Sequence, residues 1–274
     1  GGGAPGLDQQ RIVKARGSDI TYWGAFDFAR EQMRAAATQA SGLLAVSEAL
    51  GDQVADTLDI ERGAIGVHYT GLDRDRFRPL GHTQLRAQLG ETLGFGIPSN
   101  APLLACVGAL VPRKGHDIAI EALALLSETY PEARLLLVGK GEEEAALRRL
   151  VSERGLDTRV HFTGPVDHDV MPVLLSAADV MVLPTANEGL ANAWVEALAC
   201  GTPVVTCDVG GARELIVNEA AGRLVERNAV AVAEGLREVL GSLPKPEEVA
   251  ALVERFDWVS HARELAAYYE GLVR

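Results

Sequence analysis

The stretch PTANEGLANAWVEALACGTPVV, residues 184–205 of the 274-residue chain, decides the reading of everything around it. It follows an apolar run, Val180-Met181-Val182-Leu183, and passes through a small polar turn. A helical pattern then opens at Gly189 or Leu190 and stops at Gly201-Thr202-Pro203, before the apolar pair Val204-Val205. Glycine and proline just past a periodic segment are helix stop signals. A strand, a helix and a strand in so few residues make a βαβ unit, whose strands run parallel. Ligands of such units gather at the carboxyl ends of the strands, where the turn presents free helix amides to a cleft. Two carboxylates mark that place, Glu188 in the turn and Glu196 inside the helix. With helical geometry from Gly189 onward, Gly189, Asn192 and Glu196 share a face. Trp194, Val195, Ala197, Leu198, Ala199 and Cys200 around Glu196 are core material. A carboxylate buried unpaired among them costs several kcal/mol, whereas a cap or dipole contact returns about 1 kcal/mol. Glu196 therefore calls for a strong partner, from the protein or from a ligand. Taken alone, the pair also fits a plain helix start with a half-exposed glutamate at the rim of an apolar face.

Composition narrows what that cleft can serve. Apolar residues make up 47% and charged ones 23%, which suits a globular chain with a substantial core. The net charge of −12 comes without any basic stripe, which argues against a nucleic-acid partner but leaves room for a small anion held by a few local donors. Cys106, Cys200 and Cys207 are odd in number, widely spaced and set in apolar runs, as reduced core thiols of a cytoplasmic protein would be. No acidic or histidine cluster has metal-ligand spacing, so no metal site is expected. No apolar run reaches the ~18–20 residues of a transmembrane segment, which leaves peripheral contact with a membrane open.

Outward from the central unit, the chain alternates strands and helices. Residues 1–10, GGGAPGLDQQ, read as a glycine-rich loop or a cut end. Strands are expected over 12–15, 43–46 and 65–69, with helices over 26–40 and 48–58, the second capped by Ser47. These make half of a doubly wound sheet, without the strands expected before it. Gly71-Leu72-Asp73-Arg74-Asp75-Arg76-Phe77-Arg78-Pro79 reads as a linker. A helix around 83–89 follows, and then a regular series: strands over 103–107, 134–138, 160–162, 180–183 and 204–207, with helices over 116–129, 142–154, 169–177 and 190–200. Helices over 229–240, 247–256 and 260–272 close the chain. Fully apolar strands such as LLLV and VMVL are what a parallel sheet covered on both faces requires.

Three further strand ends carry chemistry. The first, Gly108-Ala109-Leu110-Val111-Pro112-Arg113-Lys114-Gly115, sets a basic pair before a helix N-terminus, where a dipole and full charges together suit an anion. It matches neither the P-loop nor the dinucleotide glycine pattern, so neither nucleotide hydrolysis nor hydride transfer follows. The second, Gly139-Lys140-Gly141, allows close backbone approach of a planar ligand or serves an ordinary tight turn. The third, Phe162-Thr163-Gly164-Pro165-Val166, offers backbone polar groups beside small apolar surface.

The order of these turns resembles the GT-B fold glycosyltransferases, and closely the large retaining family 4 of nucleotide-sugar enzymes. The resemblance rests on GALVPRKG at 108–115, VGKG at 138–141, FTGPV at 162–166 and EGLANAWVEALACGTPVV at 188–205, with Glu188 and Glu196 at the family's E-x7-E spacing. RGSD at 16–19, AVS at 45–47 and GLDRDRFRP at 71–79 extend it over nearly the whole chain. It implies two Rossmann-like, doubly wound parallel-sheet domains, the first partial: 1–79 on the acceptor side, 80–256 for the nucleotide sugar, and a helix over 257–274 crossing back. It implies a hexosyltransferase that retains anomeric configuration, needs no metal or other cofactor, and moves a sugar from a nucleoside diphosphate to a hydroxyl acceptor.

The implied roles follow residue by residue. Lys114 and Arg113 would hold the diphosphate and, with Glu188 at the sugar, form the catalytic set. Glu196 would take the ribose hydroxyls, and the amides of Gly189, Leu190, Ala191 and Asn192 the sugar or distal phosphate oxygens. Gly108, Gly139, Lys140, Gly141 and Val166 would border the donor and its base, and Arg16 and Asp19 would stand on the acceptor side. Many members carry an arginine directly after the first-turn glycine, where this chain has Ala109; Arg113 would supply part of that charge. The front of the first domain, with the family's glycine loop, its histidine near the transferred sugar and most acceptor contacts, would lie outside this sequence. His68, His116, His161, His168 and His261 match no family role and read as structural. Two other readings share the same cleft: a non-catalytic nucleotide-sugar-binding module and a nucleotide-sugar epimerase.

Overall fold

The nine strands among the described residues all pair in parallel. The structure, a computed structural model, describes residues 11–273, with the side chains of 82–84 and 273 set aside. The loop expected over 1–10 lies outside the described residues. The first part runs β1 (Ile12–Ala15), α1 (Ser18–Thr21), α2 (Asp27–Gln39), β2 (Gly42–Ala45), α3 (Glu48–Leu58) and β3 (Ile65–Val67). After α4 (His82–Leu93) come β4 (Leu103–Val107), α5 (His116–Leu126), β5 (Arg134–Val138), α6 (Glu144–Glu153), β6 (Val160–Gly164), α7 (Met171–Ala177) and β7 (Val180–Leu183). The chain continues through α8 (Asn192–Ala199), β8 (Val204–Cys207), α9 (Ala212–Leu215), β9 (Gly222–Val225), α10 (Ala229–Gly241), α11 (Pro246–Ala251) and α12 (Trp258–Val273).

The larger sheet has the order β6-β5-β4-β7-β8-β9. Its chain direction of growth reverses between β4 and β7, and the crevice outside the carboxyl ends of those two strands is where a doubly wound sheet binds ligands. The basic turn follows β4 and the acidic turn follows β7, so the two turns singled out in the sequence become neighbours. Leu104, Leu136, Val182 and Val205 are fully buried, because helices cover both faces of the sheet. Each such side chain contributes about 1.5–3 kcal/mol by leaving water. At the opposite, amino ends, buried Arg86 donates to the carbonyls of Ala177 and Ala101 and pairs with Asp179, which also accepts from the Leu103 amide. That network pins α4 to the starts of β4 and β7.

The smaller sheet runs β1-β2-β3. Ser47 caps α3 by accepting from the Leu50 amide, and Leu50, Val54 and Leu58 bury the apolar face of that helix. Several contacts link the two parts of the chain around these sheets, among them two near its ends. Residues Leu72 and Asp257 form an isolated parallel bridge, and α12 returns to the small sheet, where Tyr268 Oη stands 3.5 Å from the Leu43 carbonyl.

Several expected bounds shift for local reasons. The helix expected over 142–154 starts at Glu144, because the Glu143 amide is held by the Leu110 carbonyl at 3.0 Å. The helix expected over 169–177 starts at Met171, after a turn closed from Val170 to Asp167. Beyond Cys207, α9 and β9 stand where the sequence reading placed no element; β9 is short, and its Arg223 and half-buried Leu224 and Val225 lack a fully apolar pattern.

Candidate active site

The central helix begins later than its sequence pattern indicates. Its first residue is Asn192, with Ala191 in extended conformation as an N-cap that supplies no side chain. Gly189 is therefore outside the helix and does not share a helical face with Glu196, which corrects the expected Gly189-Asn192-Glu196 alignment; Asn192 and Glu196 keep it. The delay has a packing cause. The Gly189 carbonyl accepts from the Gly211 amide at 2.8 Å and from Ser47 Oγ at 3.0 Å, and Gly17 presses on the Gly189 backbone. One consequence is useful: the amides of Gly189, Leu190, Ala191 and Asn192 donate no hydrogen bond among the described residues. Uncapped amides with the positive end of a dipole behind them are an anion site.

Across from these amides stands the turn after β4. Pro112–Lys114 forms a single 3₁₀ turn, and Gly115 closes it at φ 73° before α5. A side chain on Gly115 would put its Cβ 2.3 Å from the Pro184 carbonyl oxygen, so glycine is needed both for the angle and for the close approach of the two turns. The Ala186 amide donates to the Arg113 carbonyl at 2.7 Å and closes the same seam. Lys114 Nζ pairs with Glu188 Oε1, and each side chain is only 12% exposed. Arg113 Nη1 reaches the same carboxylate oxygen at 3.5 Å while remaining 43% exposed, and Thr185 Oγ1 lies 3.2 Å from it. Two cations thus share one carboxylate, which leaves about one net positive charge beside the free amides. Buried His116 adds none at neutral pH, since burial and, second, nearby Lys114 push its pKa down to about 4.

Glu196 lies farther along the same groove. Thr70 and Asn192 line both the part walled by Arg16, Gly108, Lys114 and Glu188 and the part walled by Phe77, His168 and Glu196. Burial pushes the Glu196 carboxyl above its ordinary range, and His168 and Arg76 pull it partway back. Its nearest ionic partner is His168 Nε2, 3.9 Å away on a side chain that is 60% exposed, a weak substitute for hydration. His168 packs edge-on against Phe77 at a 5.1 Å centroid distance. In the sequence His168 reads as structural, and no local pattern sets it apart, because β5 and β4 stand between β6 and β7 in the sheet and only the fold brings it to Glu196.

The remaining expected site residues divide. Arg16 lines the groove. Asp19 is not among the residues lining that groove; its carboxylate accepts from the Arg16 and Gly17 amides at 3.0 and 2.7 Å and so shapes the turn after β1. Gly139 and Gly141 pack against the first turn. A Cβ on either would lie 2.1–2.2 Å from the carbonyl oxygen of Gly108 or Leu110, so both positions need glycine for the close approach of the two turns. Lys140 is exposed and gives its carbonyl to the Leu110 amide, and Val166 is half-buried against the core. Among the described residues one group could hold a metal, His68, His261 and Glu264. None of the three lines the groove, and Lys14 Nζ and the His261 carbonyl, both 2.9 Å away, already occupy the two ring nitrogens of His68.

The model of the family described as Glycosyl transferases group 1 matches residues 94–251. Among curated relatives, a GDP-mannose-dependent alpha-(1-6)-phosphatidylinositol monomannoside mannosyltransferase of Mycolicibacterium smegmatis is 29% identical, over 96% of this chain and 70% of that protein. A GDP-mannose-dependent monoacylated alpha-(1-6)-phosphatidylinositol monomannoside mannosyltransferase of Corynebacterium glutamicum is 33% identical, over 80% of this chain and 57% of that protein. A D-inositol 3-phosphate glycosyltransferase of Salinispora tropica is 29% identical, over 84% of this chain and 51% of that protein. The chain thus spans between about half and 70% of the curated relatives it matches. The crystal structure of Anabaena HepE in complex with UDP superimposes with a TM-score of 0.81 at 25% identity, covering 96% of this chain and 72% of that one. Sucrose-phosphate synthase from Thermosynechococcus elongatus gives 0.79 at 26% identity, covering 96% and 68%.

Proposed function

The chain belongs to the Glycosyl transferases group 1 family and has the GT-B fold, and from that premise we propose that it moves a hexose from a nucleoside diphosphate sugar to a hydroxyl acceptor with retention. The observation that carries this reading is the single groove that holds the Lys114–Glu188 pair, the uncapped amides of Gly189 to Asn192 and the under-partnered Glu196 in line. A nucleoside diphosphate sugar offers what each of these lacks. Its ribose hydroxyls donate to Glu196, its diphosphate takes Lys114, Arg113 and the amides, and its sugar hydroxyls donate to Glu188.

On this reading the donor changes the pairing inside the groove. The diphosphate replaces Glu188 as counterion of Lys114, and Glu188 turns to the sugar. As the bond between the anomeric carbon and the diphosphate oxygen breaks, charge grows on the leaving phosphate, where the cations and amides are already aimed. The acceptor hydroxyl oxygen then bonds to the anomeric carbon from the Arg16 side of the groove, and its proton passes to the departing diphosphate. Full positive charges from the protein stand where a divalent cation would otherwise serve, and the reaction is proposed to run without a required metal ion. The acceptor is a glycan, lipid or small-molecule hydroxyl.

Two further parts of the proposal concern setting. Residues 1–79 belong to the acceptor-side domain, 80–256 to the donor domain, and 257–274 to the helix that returns. The protein is placed in the cytoplasm, in keeping with three buried free thiols; no helix among the described residues is long and apolar enough to cross a membrane. The test is turnover of UDP-glucose and GDP-mannose with hydroxyl acceptors in excess chelator. Retained anomeric configuration in the product supports the reading, and transfer that stops on chelation or inverts the configuration overturns it.

A further inference from the structure

The turn after β4 and the turn after β7 are held together by more than their own contacts. Arg227, from outside both, donates through Nε to the Pro184 carbonyl and through Nη2 to the Pro112 carbonyl, each at 3.0 Å. The planar guanidinium has donors at fixed spacing, so two simultaneous bonds fix the distance between the two carbonyls. Pro112 opens the 3₁₀ turn that carries Lys114, and Pro184 opens the segment that carries Glu188. The arm itself has a fixed base. Val225, two residues earlier, pairs with Cys207 in the sheet, and Asn228, one residue later, caps α10 by accepting from the Ala231 amide at 2.9 Å.

We infer that Arg227 is a positioning residue, a clip that sets the separation of the Lys114 and Glu188 turns and thereby the seat of the distal phosphate. The inference rests on the donor-site reading given above. Arg227 is not among the residues that line the groove with Lys114, Glu188 and Asn192. Its effect reaches a ligand only through those turns, and Glu196, on the far side of Asn192, is outside its reach. Loss of the clip therefore separates two affinities. A nucleoside monophosphate held through Glu196 is indifferent to it, whereas a diphosphate loses the fit of its distal phosphate. Lysine at this position has one charged centre and can serve one carbonyl at a time.

The experiment titrates the full chain and its Arg227→Ala, Arg227→Lys and Lys114→Met variants with UDP and GDP and, separately, with UMP and GMP. For the diphosphate that binds the unaltered protein, Arg227→Ala is expected to weaken affinity about tenfold and leave the matching monophosphate within about twofold. Arg227→Lys is expected to recover part of the loss. Diphosphate affinity unchanged in Arg227→Ala but lost in Lys114→Met overturns the clip and leaves the donor site standing. An equal loss of mono- and diphosphate affinity in Arg227→Ala also overturns it, since general damage then suffices. Unchanged diphosphate affinity in Lys114→Met overturns the donor-site reading and the clip with it.

Discussion

Glu188 and Lys114 meet across the point where the strand order reverses, one from the turn after β7 and one from the turn after β4, in an ion pair 12% exposed on each side. A pair so placed is a competitor for any anion that enters. Removing the carboxylate charge therefore acts in opposite directions on binding and on chemistry. Glu188→Gln is expected to leave nucleoside diphosphate affinity unchanged or raise it a few-fold, while turnover falls by about 100-fold or more because the sugar loses its partner. Lys114→Met lowers diphosphate affinity by about 10–100-fold. Calorimetry and steady-state kinetics on the two variants check both signs.

Glu196 illustrates a site residue that costs stability. Burial holds its carboxyl above the ordinary value, so the folded state binds the proton more tightly than the unfolded chain does. Its contribution is least unfavourable at acid pH and grows more unfavourable as pH rises from the ordinary carboxylate value through the raised folded one. Glu196→Gln is expected to raise the melting temperature of the ligand-free protein at neutral pH and to weaken nucleotide affinity at least about tenfold. Thermal melts with and without nucleotide measure both.

The seam between the two turns depends on Gly115. Alanine there meets the Pro184 carbonyl oxygen at 2.3 Å and must adopt a φ of 73°. The expected cost is about 2 kcal/mol or more, from strain and from displaced backbone. A melting temperature within a degree of the unaltered protein would show that the turns are free to part.

The two sheets also meet through Glu214 of α9. Its carboxylate accepts from the amides of Glu48 and Ala49, both at 3.1 Å, and from Tyr69 Oη at 2.8 Å, so it caps a helix of the smaller-sheet side. Burial first, then the bond to Glu214, push the Tyr69 phenol up to about 12. The folded value lies above the unfolded one, so the contribution of Tyr69 is fully present below pH 10 and lost as pH rises toward 12. Tyr69→Phe is expected to cost about 1 kcal/mol at neutral pH. It is also expected to remove this limb from the alkaline stability profile, read by denaturant titration at several pH values.

Much of this was legible in residue patterns because parallel sheets demand fully apolar strands and glycine-stopped helices. The βαβ unit at 180–205, the Ser47 cap and the basic and acidic turns follow from such local signals. What local pattern did not carry is which surface each turn faces. Gly139 and Gly141 fit either an open turn or a tight one in sequence, and only the fold shows that their Cβ directions meet the Gly108 and Leu110 carbonyls. Asp19 has the chemistry of a site residue, yet its oxygens are used by its own turn. Helical periodicity extends back to Gly189, but Ser47 and Gly211, distant in sequence, hold that residue out of the helix. His168 and Arg227 gain their parts only from strands that come together in three dimensions.

The central claim is that Lys114, Glu188 and Glu196 form one nucleoside diphosphate sugar site. The most direct measurement is calorimetric titration of the chain with UDP, GDP and ADP and their glucose and mannose conjugates, in excess chelator, alongside Lys114→Met. The account predicts micromolar binding of one base family and its loss in the variant. A protein with an intact far-UV spectrum that binds none of these ligands, or binds one equally well without Lys114, would contradict it.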